Sequence, residues 1–316
     1  MLICVHLQGE SPHERGRRPR QPEFVQEGAS ADRRESDTAI TKDMPTDTAF
    51  RLIVTACRAE LAKHRETLLS TDDVEGVHQT RVALRRLRAA FALFRNLAAD
   101  PELPTIDAQA RHFARECGPA RDLHVFLSET APDAPESVTR IGRKLAGDRL
   151  LQARRALSGE DFDAFDRSLE RLASRRPSSV RETVGEFGRR KLDDCLRRGH
   201  GASKLTAKEL HRLRIAAKRL RYAATFLAPA FAPEAAPEYI KATETLQDAL
   251  GAFNDRTVGK RVLTDIKAAA GSKRAQAPCK RLEKRLAKTT PERRRCIKNA
   301  WKSFKKANPL WHENEQ

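Results

Sequence analysis

From Ala49 onward, apolar residues recur three and four positions apart, in segments of helix length punctuated by Pro and Gly. The breaks fall at Pro101, Pro104, Gly118-Pro119, Pro132, Pro135, Pro177, Gly199 to Gly201, Pro229 to Pro237, Gly251, Gly271, Pro278 and Pro291. No run of alternating β-branched residues is long enough to read as a strand, so the pattern predicts an all-α fold. The first 45 residues behave differently: they are rich in Arg, Glu, Ser, Pro and Gln and have no period. They read as a disordered tail over 1–45 ahead of a helical domain over 46–316. The alternative is that translation starts at Met44.

The helical part repeats itself. VHQTRVALRRLRAAFALF at 77–94 returns as LHRLRIAAKRLRYAATFL at 210–227. His78 aligns with His211, Arg81 with Arg214, Arg85 with Lys218, Arg86 with Arg219 and Arg88 with Arg221, at an offset of 211 − 78 = 133. The same offset sets Gly118 on Gly251 and Asp122 on Asp255. Two motifs in one register imply two copies of a helical unit, about 46–175 and about 179–308. The expected architecture is a bundle of two pseudo-symmetric halves whose equivalent helices face one another.

At about 100° per residue, His78, Arg81, Arg85 and Arg88 form one stripe about 15 Å long. Arg86 stands apart from it, and Leu84, Leu87, Phe91 and Phe94 occupy the far side. His211, Arg214, Lys218 and Arg221 repeat the stripe, with Leu213, Ala217, Leu220, Ala224 and Leu227 opposite. A solvated face usually mixes signs, because opposite charges three or four apart help a helix and like charges repel by a few tenths of a kcal/mol. Yet 78–95 holds six basic groups and no acid. The fold has no need of such repulsion, so the stripe points to a ligand.

Composition says which kind. The 316 residues carry 61 Lys and Arg against 43 Asp and Glu, a formal charge of +18, which predicts a polyanionic partner. Aromatics at 5% argue against binding by base stacking. The six cysteines are scattered singly, which fits reduced cytosolic thiols rather than a zinc or redox motif. No apolar run is long enough for a membrane span, and MLICVHL is too short for a signal segment.

The paired pattern H-x-x-R-V-A-x-R-R-L-R and H-x-x-R-I-A-x-K-R-L-R-Y resembles the two signature helices of the CHAD domain, the conserved histidine α-helical domain. The resemblance runs from near Phe50 to the closing WKSFKKANPLW, at Trp301 to Trp311. Thr225 departs from it, standing where the second motif often has Glu. The resemblance implies a helical bundle with a central basic groove or pore that binds inorganic polyphosphate and has no catalytic activity. Carried onto this chain, the polyphosphate-binding residues are His78, Arg81, Arg85, Arg86, Arg88, His211, Arg214, Lys218, Arg219 and Arg221. Arg111, Arg115, Arg149, Arg155 and Lys260 are unranked further candidates. The expected location is the cytoplasm, in association with polyphosphate granules, with no membrane partner.

Other chemistries fit less well. The histidines sit among arginines with no acid on their stripe, so no metal is expected, and no cofactor. The chain has neither the ExExK motif of the triphosphatases that accompany such domains nor a phosphate loop. Asp122 and Asp255 read as helix caps or ion-pair partners, and Tyr222 as a packing residue. The alternative is nonspecific nucleic-acid binding by the same basic surface. The arginines are expected to hold both histidines below the usual value of about 6.5, and bound phosphate to raise them again.

Overall fold

The computed structural model describes residues 39–311 apart from 72–73, 96–99, 176–181, 201–205, 232–235, 288–290 and 310. The side chains of 195–196, 198–200, 207–208, 252–257, 274–275, 287 and 291–294 also lie outside the description. The tail over 1–38 and the side chain of Asp255 are therefore beyond it. Among the described residues there are eleven α-helices and no strand. They are α1 (Thr46–Ser70), α2 (Val74–Phe94), α3 (Leu103–Glu116), α4 (Gly118–Val125), α5 (Glu136–Ser158) and α6 (Glu160–Ser174), then α7 (Val184–His200), α8 (Ala207–Leu227), α9 (Ala236–Ala269), α10 (Lys273–Ala287) and α11 (Pro291–Phe304). A single π-helical turn, Phe126–Thr130, extends α4.

The helix boundaries carry the register of the sequence repeat. Adding 133 to Val74–Phe94 gives 207–227, the bounds of α8. The same addition takes α3 and α4 to 236–249 and 251–258, both inside the single helix α9. The first copy breaks at Cys117 because Pro119 follows; Pro has no N–H to continue the helix and suits its first turn. The second copy has Ala252 there, and its helix runs on through Gly251.

Packing follows the apolar stripes. Leu84, Leu87, Phe91 and Phe94 of α2 are buried, as are Leu213, Ala217, Leu220, Ala224 and Leu227 of α8. Helix α2 packs against α1, α3, α4 and α8, and α8 against α7 and α9. Phe94 bridges the two copies, with ring centroids 5.2 Å from Phe50 of α1 and 4.9 Å from Phe187 of α7. Each such ring contributes about 1.5–3 kcal/mol by leaving water. A smaller cluster gathers Leu123, Phe126, Val138, Leu282 and Leu286 with Val262, Leu263 and Ile266 of α9. Helix α9 also supplies Tyr239, Leu246 and Leu250 to the large core.

The packed chain starts before the compositional boundary at 45. Val184 donates to the Met44 carbonyl at 2.9 Å and Gly185 to that of Lys42 at 2.9 Å, so residues 42–44 cover the start of α7. Met44 itself is buried in the large core. No described helix is long and apolar enough to cross a membrane. Cys57, Cys117 and Cys279 are free and buried, and Cys296 is free and exposed.

Candidate functional site

The two basic stripes come from helices that pack on one another, and each is fixed by its own apolar face. Helix α8 is also started by a reciprocal cap. The Thr206 hydroxyl accepts from the Glu209 N–H at 3.3 Å, and the Glu209 carboxylate accepts from the Thr206 N–H at 3.2 Å.

Where α2 meets α8, charge of one sign accumulates. Burial pushes the Lys218 ammonium down from 10.5 to about 7, and Arg85, Arg214, Arg81 and Arg221 push in the same direction. Two of those arginines are on α2, so the stripes lie within electrostatic reach of each other. Burial also lowers His78, to about 4, with Arg121, Arg85, Arg81 and His124 adding to it. The expected depression is present at His78, but loss of water is its larger cause and the arginines come second. Its counterpart His211 is exposed on α8.

The arginines at the margins are tethered. Arg81 donates from Nη1 to the Ala114 carbonyl at 2.7 Å, in the last turn of α3. Arg88 donates from Nε to the Asp107 carboxylate at 2.9 Å. Arg221 donates to Glu244 of α9 at 3.1 Å and lies 4.8 Å from the Tyr222 ring centroid. Glu244 thus supplies the carboxylate missing at Thr225, whose hydroxyl bonds instead to the Arg221 carbonyl at 2.8 Å. Tyr222 is buried against Phe226, a packing residue as expected. The centre differs from the margins: among the described residues no carboxylate pairs with Arg85 or Lys218, and Arg85 Nε is buried without a hydrogen-bond partner.

Arg86 does not join this group. It points to the opposite flank, donates from Nη1 to both oxygens of Glu60 at 2.5 and 2.6 Å, and lies 5.9 Å from the Phe226 ring centroid. It ties α2 to α1 and α8. Arg219, aligned with it in the repeat, is exposed.

A third wall comes from α4 and α9. Asp122 accepts from Arg261, so it is an ion-pair partner, in mid-helix rather than at a cap. Burial raises its carboxyl above the usual range, against the pull of Arg261, Arg81 and Arg121. Arg121 itself is 3.8 Å from Glu129. Sequence reading missed Arg121, Arg261 and His124. The signal for two of them was present: Arg121 and His124 share a helix face, three apart, inside the repeated CGPARDLHV segment. Arg261 sits opposite only through the packing of α4 on α9. Of the unranked candidates, Arg111, Arg115, Arg155 and Lys260 are exposed, and Arg149 donates to Gln152.

The model of the CHAD domain family matches residues 52–264, which include every residue of this cluster. The chain belongs to the CHAD domain family. Among solved structures it is similar to the crystal structure of the CHAD domain from the plant Ricinus communis, at 24% identity and a TM-score of 0.75. That match covers 89% of this chain and 98% of the plant domain. It is also similar to PptA from Streptomyces chartreusis, at 17% identity and a TM-score of 0.51, over 84% of this chain and 99% of that one. At these identities the two structures bear on the fold alone. A comparison with curated proteins gives no match. The family's two histidines are thus unequal in this chain: His78 is drawn into the basic cluster and His211 is left at the surface.

Proposed function

We propose that this CHAD domain binds inorganic polyphosphate, without turning it over, in a basic groove where the stripes of α2 and α8 meet. The observation that carries the reading is the central pair. Arg85 and Lys218, from different helices, are half-buried in one positive field with no described carboxylate to neutralise them. Leaving such groups together costs stability. Phosphate oxygens offset that cost through charge-assisted hydrogen bonds. The tethered Arg81, Arg88 and Arg221 then serve as flanking contacts whose geometry is set before the ligand arrives, which lowers the entropy lost on binding. Arg214 and His78 complete the lining.

The ligand's mechanics favour polyphosphate over nucleic acid at this site. The central cations are sunk between two packed helices. A thin flexible polymer can enter there, whereas duplex DNA is stiff over about 50 nm. Neither a base-stacking platform nor a base-edge reader is required. Cytoplasmic polyphosphate, including its granules, is the partner this reading calls for.

The test is binding of long-chain polyphosphate to wild type, Arg85→Glu and Lys218→Glu, with circular dichroism as the control for folding. Each variant is expected to lose at least about tenfold in affinity, with a shallower dependence on salt. Normal binding by either variant refutes a site shared between α2 and α8. Release of orthophosphate from the polymer refutes the non-catalytic part.

A further inference from the structure

Helix α11 presents a second, separate basic surface. Segment 291–306 carries seven Lys and Arg and a single acid, Glu292. Arg295, Lys298, Lys302, Lys305 and Lys306 are all exposed. On a helical wheel they fall within an arc of about 100°, and they span about 16 Å along the axis. Past Phe304 the Lys305 N–H still bonds to the Trp301 carbonyl at 3.0 Å and the Lys306 N–H to the Ser303 carbonyl at 3.1 Å, so the backbone keeps turning through the last two lysines. Ile297, Ala300 and Phe304 lie opposite and are buried, with α11 packed on α9. No described carboxylate pairs with any of the five.

The fold does not require this charge. Helix α6 holds the corresponding place in the first repeat, and it carries Glu160, Asp161, Asp163, Asp166 and Glu170. Those acids are used: Asp166 receives two hydrogen bonds from Arg58, at 2.8 and 2.7 Å, and Asp163 pairs with Arg65 at 3.1 Å. One copy of the helix is acidic and bound to α1. The other is basic and turned outward, and it lies beyond residues 52–264, over which the family model matches.

We infer that the exposed face of α11 is a docking surface for the phosphate backbone of duplex nucleic acid, used independently of the α2–α8 site. Shape and charge select this partner. The stripe stands on an outward-facing helix, so a stiff rod can lie along it. A duplex offers one negative charge per about 1.7 Å of axis, enough to engage all five cations over their span. A membrane fits less well, because an interfacial helix must bury its apolar face among the acyl chains. Here Ile297, Ala300 and Phe304 are already committed to the core. The contacts proposed are to phosphates, which carry no sequence information, so docking is expected to be independent of sequence.

The test uses the full chain and a fluorescent DNA duplex of about 20 base pairs, over a range of salt concentrations. Lys298→Glu, Lys302→Glu and Lys305→Glu are combined in one variant. Duplex affinity should fall at least about tenfold, and the slope of log affinity against log salt should shrink by about 3, roughly 0.9 for each phosphate no longer engaged. Affinity for a short polyphosphate chain, sized to the α2–α8 groove, should stay within about twofold. A second variant reverses Arg140, Arg143 and Lys144 of α5, changing total charge equally; it should keep duplex affinity within about twofold. Unchanged duplex binding in the α11 variant, or an equal loss in the α5 variant, overturns the inference. So does full displacement of the duplex by one such short polyphosphate chain per protein. Binding to vesicles of anionic lipid that is lost with the α11 variant, without duplex binding by wild type, would make the surface a membrane contact instead.

Discussion

The proposed polyphosphate site predicts, through Lys218, a calculable dependence of affinity on pH. In the free protein it titrates near 7, because burial and four arginines disfavour its charge. A phosphate chain in contact restores the charged form and carries its pKa back toward the ordinary value of about 10.4. Binding above neutrality therefore takes up close to one proton. Through Lys218 alone, affinity should hold roughly constant below pH 7, then fall about tenfold per unit, a loss of about a hundredfold between pH 6 and pH 9. His78, neutral in the free protein above about pH 4, also gains a proton where bound phosphate lifts its pKa into this range, so the Lys218 slope is read in a His78→Gln background. Unliganded stability runs the other way. Between about 7 and 10.5 the unfolded chain holds a proton on Lys218 that the folded chain lacks, so raising pH through this window stabilises the fold. The assay is calorimetric titration across pH in two buffers of different ionisation enthalpy, beside thermal melts of the free protein. Lys218→Met should bind more weakly at pH 6, lose the pH dependence, and melt higher than wild type below pH 7. Affinity that is flat from pH 6 to 9, or a Met variant that keeps the wild-type slope, refutes the reasoning.

Two further outcomes separate architecture from binding. Arg86→Ala removes two bonds to Glu60 and the contact with Phe226; it should cost about 1–3 kcal/mol in chemical denaturation while polyphosphate affinity is unchanged. Gly76→Ala would bring a Cβ within 2.9 Å of Leu68 Cα and 3.0 Å of Leu68 N. The neighbour is backbone, so α1 and α2 must separate, and a loss of about 1–3 kcal/mol is expected in the same measurement.

The sequence already held the scaffold of this site. The bounds of α8 follow from those of α2 by addition, because the same apolar spacing recurs 133 residues later and sets both helices. The stripe of Arg81, Arg85 and Arg88 was legible for the same reason: angular position on a helix is local information. What was not legible depends on a neighbour. Arg86 and Arg85 are adjacent and chemically identical, and only the placement of Glu60 on α1 separates a structural tie from a candidate site residue. His78 and His211 align in sequence, yet one is half-buried near α4 and the other is exposed. The group that titrates near neutrality is a lysine, because its surroundings, and not its type, set the value. Arg261 enters the cluster through contact between α9 and α4, which are far apart in the chain.

The unbroken course of α9 has a dynamic consequence. Its 34 residues extend about 51 Å. The N-terminal part is anchored by Tyr239, Leu246 and Leu250 in the large core, and the C-terminal part by Val262, Leu263 and Ile266 in the small one. The smaller core holds fewer buried side chains and is expected to open at lower free energy than the larger one. Such an opening would loosen the Asp122–Arg261 pair at the edge of the cluster, while Ala120 of α4, α2 and α8 stay held by the large core. Hydrogen exchange should therefore show amides of α10 and of the C-terminal half of α9 opening at lower free energy than amides of α2 and α8.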